Sequence, residues 1–234
     1  MNGRIYRPDD AISPRFPEAG RLRIGMKSPQ GFPMSIDWFR ATGKYAELFH
    51  KALGEKPDTL QIIFYDDTPE LVCNEQWVYR DAAGARFAYG DGQIFDVWNG
   101  KKFVKCTTTQ IPDLMQKVVE RCPTKAGMDN WKVTLTMRFI VPAVSGVIGY
   151  WQFVTHGAAS SVNNIRNSFD AVQMLRGTVT GSVFDLSVKF HKSNKPGQNS
   201  RYPVVSLVAN DTRVQGIREM LIQKDSTKNL LLSD

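Results

Sequence analysis

The sequence predicts an α+β fold, a largely antiparallel sheet or sheets with a few helices packed on one face, running β-β-α-β-β-α in its C-terminal half. Three observations predict it. Short segments alternate apolar and polar residues, as half-buried antiparallel strands do: "WKVTLTMRFIVP" (131–142) sets Val133, Leu135, Met137 and Phe139 against Lys132, Thr134, Thr136 and Arg138. Other segments switch to helical period, such as 111–122, where Ile111, Leu114, Met115, Val118, Val119 and Cys122 share one stripe and Pro123 ends it. Aromatic-rich runs flank Asn99-Gly100, the dipeptide best suited to a type I′ hairpin turn because both residues tolerate positive φ.

Residues 1–19 hold three prolines and no periodicity, which predicts an extended arm. "RLRIGMKSPQGFPMSIDWFR" reads as two strands around a Pro/Gly turn. Tyr45, Leu48, Phe49 and Ala52 give one apolar helix face, with Gly54 placed to end it. "TLQIIFY" is a buried strand, and 71–107 an inserted β-meander. After the 131–142 strand, "VIGYWQFVTHG" supplies a hairpin partner. A helix follows, capped by Ser160 or Ser161, with Val162, Ile165, Phe169 and Val172 inward and Gly177 closing it. "SVFDLSVKF" and "RYPVVSLV" are two more strands, "TRVQGIREMLIQ" a last helix, and 225–234 a frayed tail. Residues 20–224 thus read as a single domain, a size that 234 residues with 42% hydrophobic content support.

Three cysteines, Cys73, Cys106 and Cys122, are too few for a disulfide scaffold and predict a reducing, cytoplasmic setting. The first residues lack the apolar core of a signal peptide, and no apolar run is long enough to span a bilayer. Catalytic signatures are absent: no G-x-S-x-G, H-E-x-x-H or Walker loop occurs, and His50, His156 and His191 have no ligand-spaced neighbours. Asp66-Asp67 could hold Mg²⁺, but before Thr-Pro the pair reads better as a turn. Neither a metal nor a cofactor is expected, and Cys122 should be buried and unliganded.

The net charge of +7 is unevenly spread. No acid lies between Asp129 and Asp170, and none between Ser187 and Asn210, so these stretches offer a positive field to a polyanion. The candidate contacts are Arg21, Arg23, Lys27, Arg40 and Lys44 near the N-terminus, Lys132 and Arg138 on the polar side of the 131–142 strand, and Lys189, Lys192, Lys195 and Arg201 on a basic hairpin. Such cations suit phosphate backbones. Trp38, Tyr150, Trp151 and Tyr202 are candidate base-stackers, of which at most one is expected to stack, because an aromatic in an alternating strand usually packs inward.

"GRLRIG" (20–25), "FPMSIDWFRATG" (32–43), "CPTK" (122–125), "LTMRFIVPAVSGVIGYWQFVTHG" (135–157) and "KSNKPGQNSRYPVV" (192–205) resemble, in order and spacing, the Gp3-like recombination directionality factor family. The resemblance covers about Gly20–Gly54 and Trp131–Val208 and differs in the meander between them. It implies a non-enzymatic accessory protein of phage or mobile-element recombination, with a serine integrase and nucleic acid as partners. A cysteine-rich, zinc-suggestive middle is typical of the family, and here only Cys106 and Cys122 remain near that region. The alternative reading is an RNA-binding, RAMP-like subunit of a CRISPR-type ribonucleoprotein, which the same strand order and basic finger would suit.

Overall fold

The computed structural model describes residues 16–193, 197 and 199–210. Eight strands form one sheet: β1 (Glu18–Lys27), β2 (Pro33–Thr42), β4 (Cys73–Arg80), β5 (Arg86–Gly90), β6 (Ile94–Trp98), β7 (Phe103–Thr107), β8 (Trp131–Phe139) and β9 (Tyr150–Thr155), in the order β2-β1-β9-β8-β4-β5-β6-β7. A smaller sheet, β11-β10-β3, is made from β3 (Thr59–Ile63), β10 (Val183–Lys192) and β11 (Arg201–Ala209). The helices are α1 (Ala46–Leu53), α2 (Pro69–Val72), α3 (Leu114–Arg121) and α4 (Asn163–Arg176). All strand pairs are antiparallel except β1 with β9. The α+β fold read from the sequence is the one found.

The alternation of β8 decides how the layers stack. Trp131, Leu135, Met137 and Phe139 are buried on one face, and their cross-strand neighbours on β4, Tyr79 opposite Trp131 and Cys73 opposite Met137, are buried beside them. Two cores therefore sit on the same face of the large sheet. The first joins Leu22, Phe39, Met137, Trp151 and Phe153 to the smaller sheet (Leu60, Ile62, Phe184, Leu186), to Phe49 of α1 and to Ile165 and Phe169 of α4. Tyr79, Phe95, Val97 and Trp131 form the second against Leu114 and Val118 of α3, and the Tyr79 hydroxyl donates to the Cys122 carbonyl at 2.9 Å. The meander continues the large sheet through the pairing of β4 with β8.

Several local expectations are corrected. The α1 helix turns Tyr45, Ala46, Phe49 and Leu53 inward and leaves Leu48 at 42% exposure and Ala52 exposed, because it packs on the sheet through a face about one position round from the one predicted. Asn99 does not take positive φ; the turn centres on Gly100–Lys101 with Gly100 at φ 99°, and the Asn99 side chain accepts from the Lys101 and Lys102 N–H groups at 2.9 Å each. Neither serine caps α4, which is entered through a π-helical turn, Ala158–Val162. The Ser161 hydroxyl instead accepts from the Val205 N–H at 3.0 Å, a bond to β11 that a local cap cannot supply. The polar side of β8 is not uniformly wet: Thr134 is buried and Arg138 half-buried. Cys122 is half-buried against the second core rather than fully inside it, and burial, with Asp81 nearby, pushes its thiol pKa up.

The β-β-α-β-β order after residue 130 is present, and Gly177 closes α4 in the left-handed conformation at φ 74°. The predicted last helix, the tail and most of the N-terminal arm lie outside the described residues. Asp66-Asp67 serves structure: Asp66 accepts from the Thr68 N–H at 2.8 Å, while Asp67 accepts from the Thr178 hydroxyl and the Val179 and Thr180 N–H groups, tying the chain before α2 to the start of the link into β10. Among the described residues, no helix is long and apolar enough to cross a membrane.

A candidate anion-binding groove on the open sheet face

The face of the large sheet away from both cores carries the alternate residues of each strand. Cross-strand register places Thr42, Arg21, Gln152 and Arg138 in one row, and Arg40 and Arg23 directly opposite each other in the next. Between Arg23 and Gly25 the register shifts, one residue of β1 being set against four of β2, and the hairpin runs on to its last pair, Lys27 with Pro33. The result is a groove of about 720 Å³ whose cationic lining is Arg21, Arg23, Lys27 and Arg40, with the His156 ring beside them and Met34 and Val154 as apolar wall. Four of the residues expected from sequence, Arg21, Arg23, Lys27 and Arg40, thus meet at one place.

The electrostatics of that place are unusual for a structural surface. Like charges directly opposite on adjacent strands are destabilising, yet Arg23 and Arg40 face each other, and among the described residues neither has a carboxylate partner. Arg40 Nε is buried without a hydrogen-bond partner, and its Nη2 reaches only the Gly25 carbonyl at 3.4 Å. A buried guanidinium N–H left unpaired is costly, and the Arg40 side chain that bears it lines the groove. Arg21 differs, since Glu18 holds it at 2.7 Å.

His156 was not among the expected contacts, although alternation in "YWQFVTH" puts Gln152, Val154 and His156 on one side and could have found it. Its Nδ1 lies 3.0 Å from the Thr134 hydroxyl. Loss of hydration at the ring, with Arg80 and Lys132 adding repulsion, lowers its pKa from the ordinary value. We expect the His156 ring signals in an NMR titration to move at a midpoint below about 6.5, and the midpoint to rise when inorganic phosphate fills the groove. A midpoint at or above that value in the free protein would contradict the placement of the ring.

The other expected cations are not in the groove lining. Lys44 lies over the Tyr45 ring at 4.9 Å, in the turn before α1. Lys132 is exposed on the same sheet face, on β8. Arg138 is occupied: it donates to the Leu71 carbonyl at 2.8 Å and covers the Tyr150 ring at 5.9 Å. Lys189, Lys192 and Arg201 belong to the β10–β11 ladder of the smaller sheet, where Lys192 pairs with Arg201 and the Arg201 guanidinium stands 5.6 Å from the Phe190 ring. Lys195 lies outside the described residues. Of the aromatic candidates, Trp151 is core at 1% exposure, Trp38 and Tyr150 are half-buried, and Tyr202 is exposed.

Fold and groove define an α+β protein whose large, mostly antiparallel sheet keeps one face for two cores and turns a cation-lined face outward. In comparison with known families, residues 19–210 match the Gp3-like family, described as recombination directionality factor-like, and the chain belongs to that family. The match runs through the meander as well as through the two stretches where the resemblance was read. Membership suggests an accessory role in phage recombination. No curated protein and no solved structure matches the chain.

Proposed function

We propose that this protein is a non-enzymatic accessory factor of phage site-specific recombination, acting in the cytoplasm on a complex of DNA and a serine integrase. Its groove receives the backbone phosphates of the DNA. The cross-strand Arg23–Arg40 pair, without a counter-ion among the described residues, carries the reading. The cations sit on strands rather than on a helix that could enter a major groove, so contact with phosphate and little base readout is the expected mode. The basic β10–β11 hairpin supplies a second cationic surface toward the same complex. The ribonucleoprotein reading shares the open sheet, but family membership favours recombination.

The test is binding of a labelled duplex oligonucleotide at several salt concentrations, with wild type and the Arg23→Gln/Arg40→Gln double variant. Wild type should bind with steep salt dependence. Each lost phosphate contact removes roughly 0.9 from the log–log salt slope, so the double variant should lose nearly 2 and bind about tenfold or more weakly at low salt. Excision by the integrase of the same phage should fall in parallel. A folded double variant with unchanged slope and unchanged excision would sink the reading.

A further inference from the structure

A second feature lies at the middle of the large sheet. The β5–β6 hairpin turns at Gly90, where a Cβ would run into the Ile94 carbonyl oxygen, and the Asp91 carboxylate locks the turn by accepting from the Gln93 and Ile94 N–H groups at 2.7 Å each. As a result β4 pairs with β8 along Cys73–Tyr79 but with β5 only from Trp77 onward. Among the described residues, no strand pairs with Asn74–Gln76 on the β5 side. This bare edge is the floor of a cleft of about 400 Å³, walled by α4 on one side and the β5–β6 turn on the other.

Open edges inside a sheet are templates for another strand, and proteins usually cover or blunt them. Here the surrounding charge selects what could pair. Glu70, Glu75, Asp91, Asp96 and Asp170 line the cleft against only Arg166 and Lys105, which are engaged by Glu75 at 3.2 Å and Asp96 at 3.6 Å. The cleft is therefore negative in a protein of net charge +7. Ile94, 45% exposed at its rim, adds an apolar contact for a side chain of the incoming strand.

We infer that this cleft is a docking site for an extended, Lys/Arg-bearing segment of a partner protein, which adds a short strand beside Asn74–Gln76 and places its cations against Glu70 and Asp170. Backbone pairing supplies the contact and the carboxylates supply the choice. The site is independent of the basic groove and would let the protein hold a polypeptide and a polyanion at once.

The probe is a fluorescein-labelled octapeptide of alternating Lys and Val, set against the same peptide N-methylated at every second residue and against its Glu-Val counterpart. The expected result is saturable binding of the first, at least tenfold weaker binding of the other two, and, in the full-length protein, slowed exchange of the amides of Asn74–Gln76 that point away from β8. The rim variant Glu70→Lys/Asp170→Lys, whose side chains are exposed, should weaken binding about tenfold without unfolding the chain. Equal binding of the N-methylated peptide would mean charge attraction alone and overturn the proposal. Slow exchange, before any peptide is added, of the amides of Asn74–Gln76 that point away from β8 would show the edge already filled by the chain itself, and would overturn it as well. Groove variants at Arg23 and Arg40 should leave peptide binding unchanged, so this result and the oligonucleotide result can fail separately.

Discussion

Trp151→Ala should cost about 3–5 kcal/mol of stability, the range for deleting a large aromatic from a packed interior. Trp151 is 1% exposed on β9, packs its ring 5.0 Å from Phe49 of α1, and fills the space that Gly20 leaves on β1. That space is real: a Cβ at Gly20 would lie 2.6 Å from the indole and 2.7 Å from the Thr42 carbonyl oxygen, so the strand, its neighbour and the helix all close on this one side chain. At roughly 2–4 °C per kcal/mol for a chain of this size, the melting temperature should fall by roughly 6–20 °C. Thermal and urea unfolding would measure it. A loss under about 1.5 kcal/mol would mean that the first core is not closed by this residue.

Asp67→Ala should cost about 2–4 kcal/mol, because it removes the one acceptor shared by the part-buried Thr178 hydroxyl and Val179 N–H and by the exposed Thr180 N–H. Burial pushes the Asp67 carboxyl pKa up, but the N–H bonds from Thr180 and Val179 and the threonine hydroxyls outweigh it and hold it below the usual value. With the folded pKa depressed, the contribution is complete above the unfolded value of about 3.9 and is lost as pH falls through the folded one. Asp67→Asn should keep part of the bonding and lose this acid dependence. Denaturation midpoints measured between neutral pH and the carboxylate range would show it. An Asp67→Asn protein with the same acid-side loss as wild type would place the titration elsewhere.

What could be read from sequence was whatever a local period encodes. The stripe of α3 and the inward side of β8 follow from side-chain spacing, and both are found. Pairing between distant segments leaves no such trace. Nothing in "TLQII" says that β3 joins β10, and nothing in "GRLRIG" says that β1 lies beside β9. The face of α1 was misjudged for the same reason: Leu48 and Leu53 fit an apolar stripe about equally well, and the sheet beneath chose Leu53. Ser161 and Asn99 were misread because a polar side chain takes the donors that folding brings to it, β11 in one case and its own turn in the other. The candidate groove was half legible. Arg21, Arg23, Lys27 and Arg40 stand out by charge, but their convergence depends on the hairpin register and on one irregularity at Arg23–Gly25, while His156 joins them only through the β1–β9 pairing. Charge counting also gathered Arg138, which the fold has already committed to the Leu71 carbonyl and Tyr150.

The parallel pairing of β1 with β9 also sets a timetable. Gly20 waits for Trp151, roughly 130 residues later in the chain, and translation at about 5–20 residues per second makes that wait on the order of ten seconds. For that interval the emerging β1–β2 hairpin has an unpaired side, and the first core lacks its indole. The join between the β1–β2 hairpin and the rest of the large sheet thus depends on a strand delivered after the meander and α3 have left the ribosome, and a product that terminates before residue 150 would keep an open, adhesive edge at its N-terminal end.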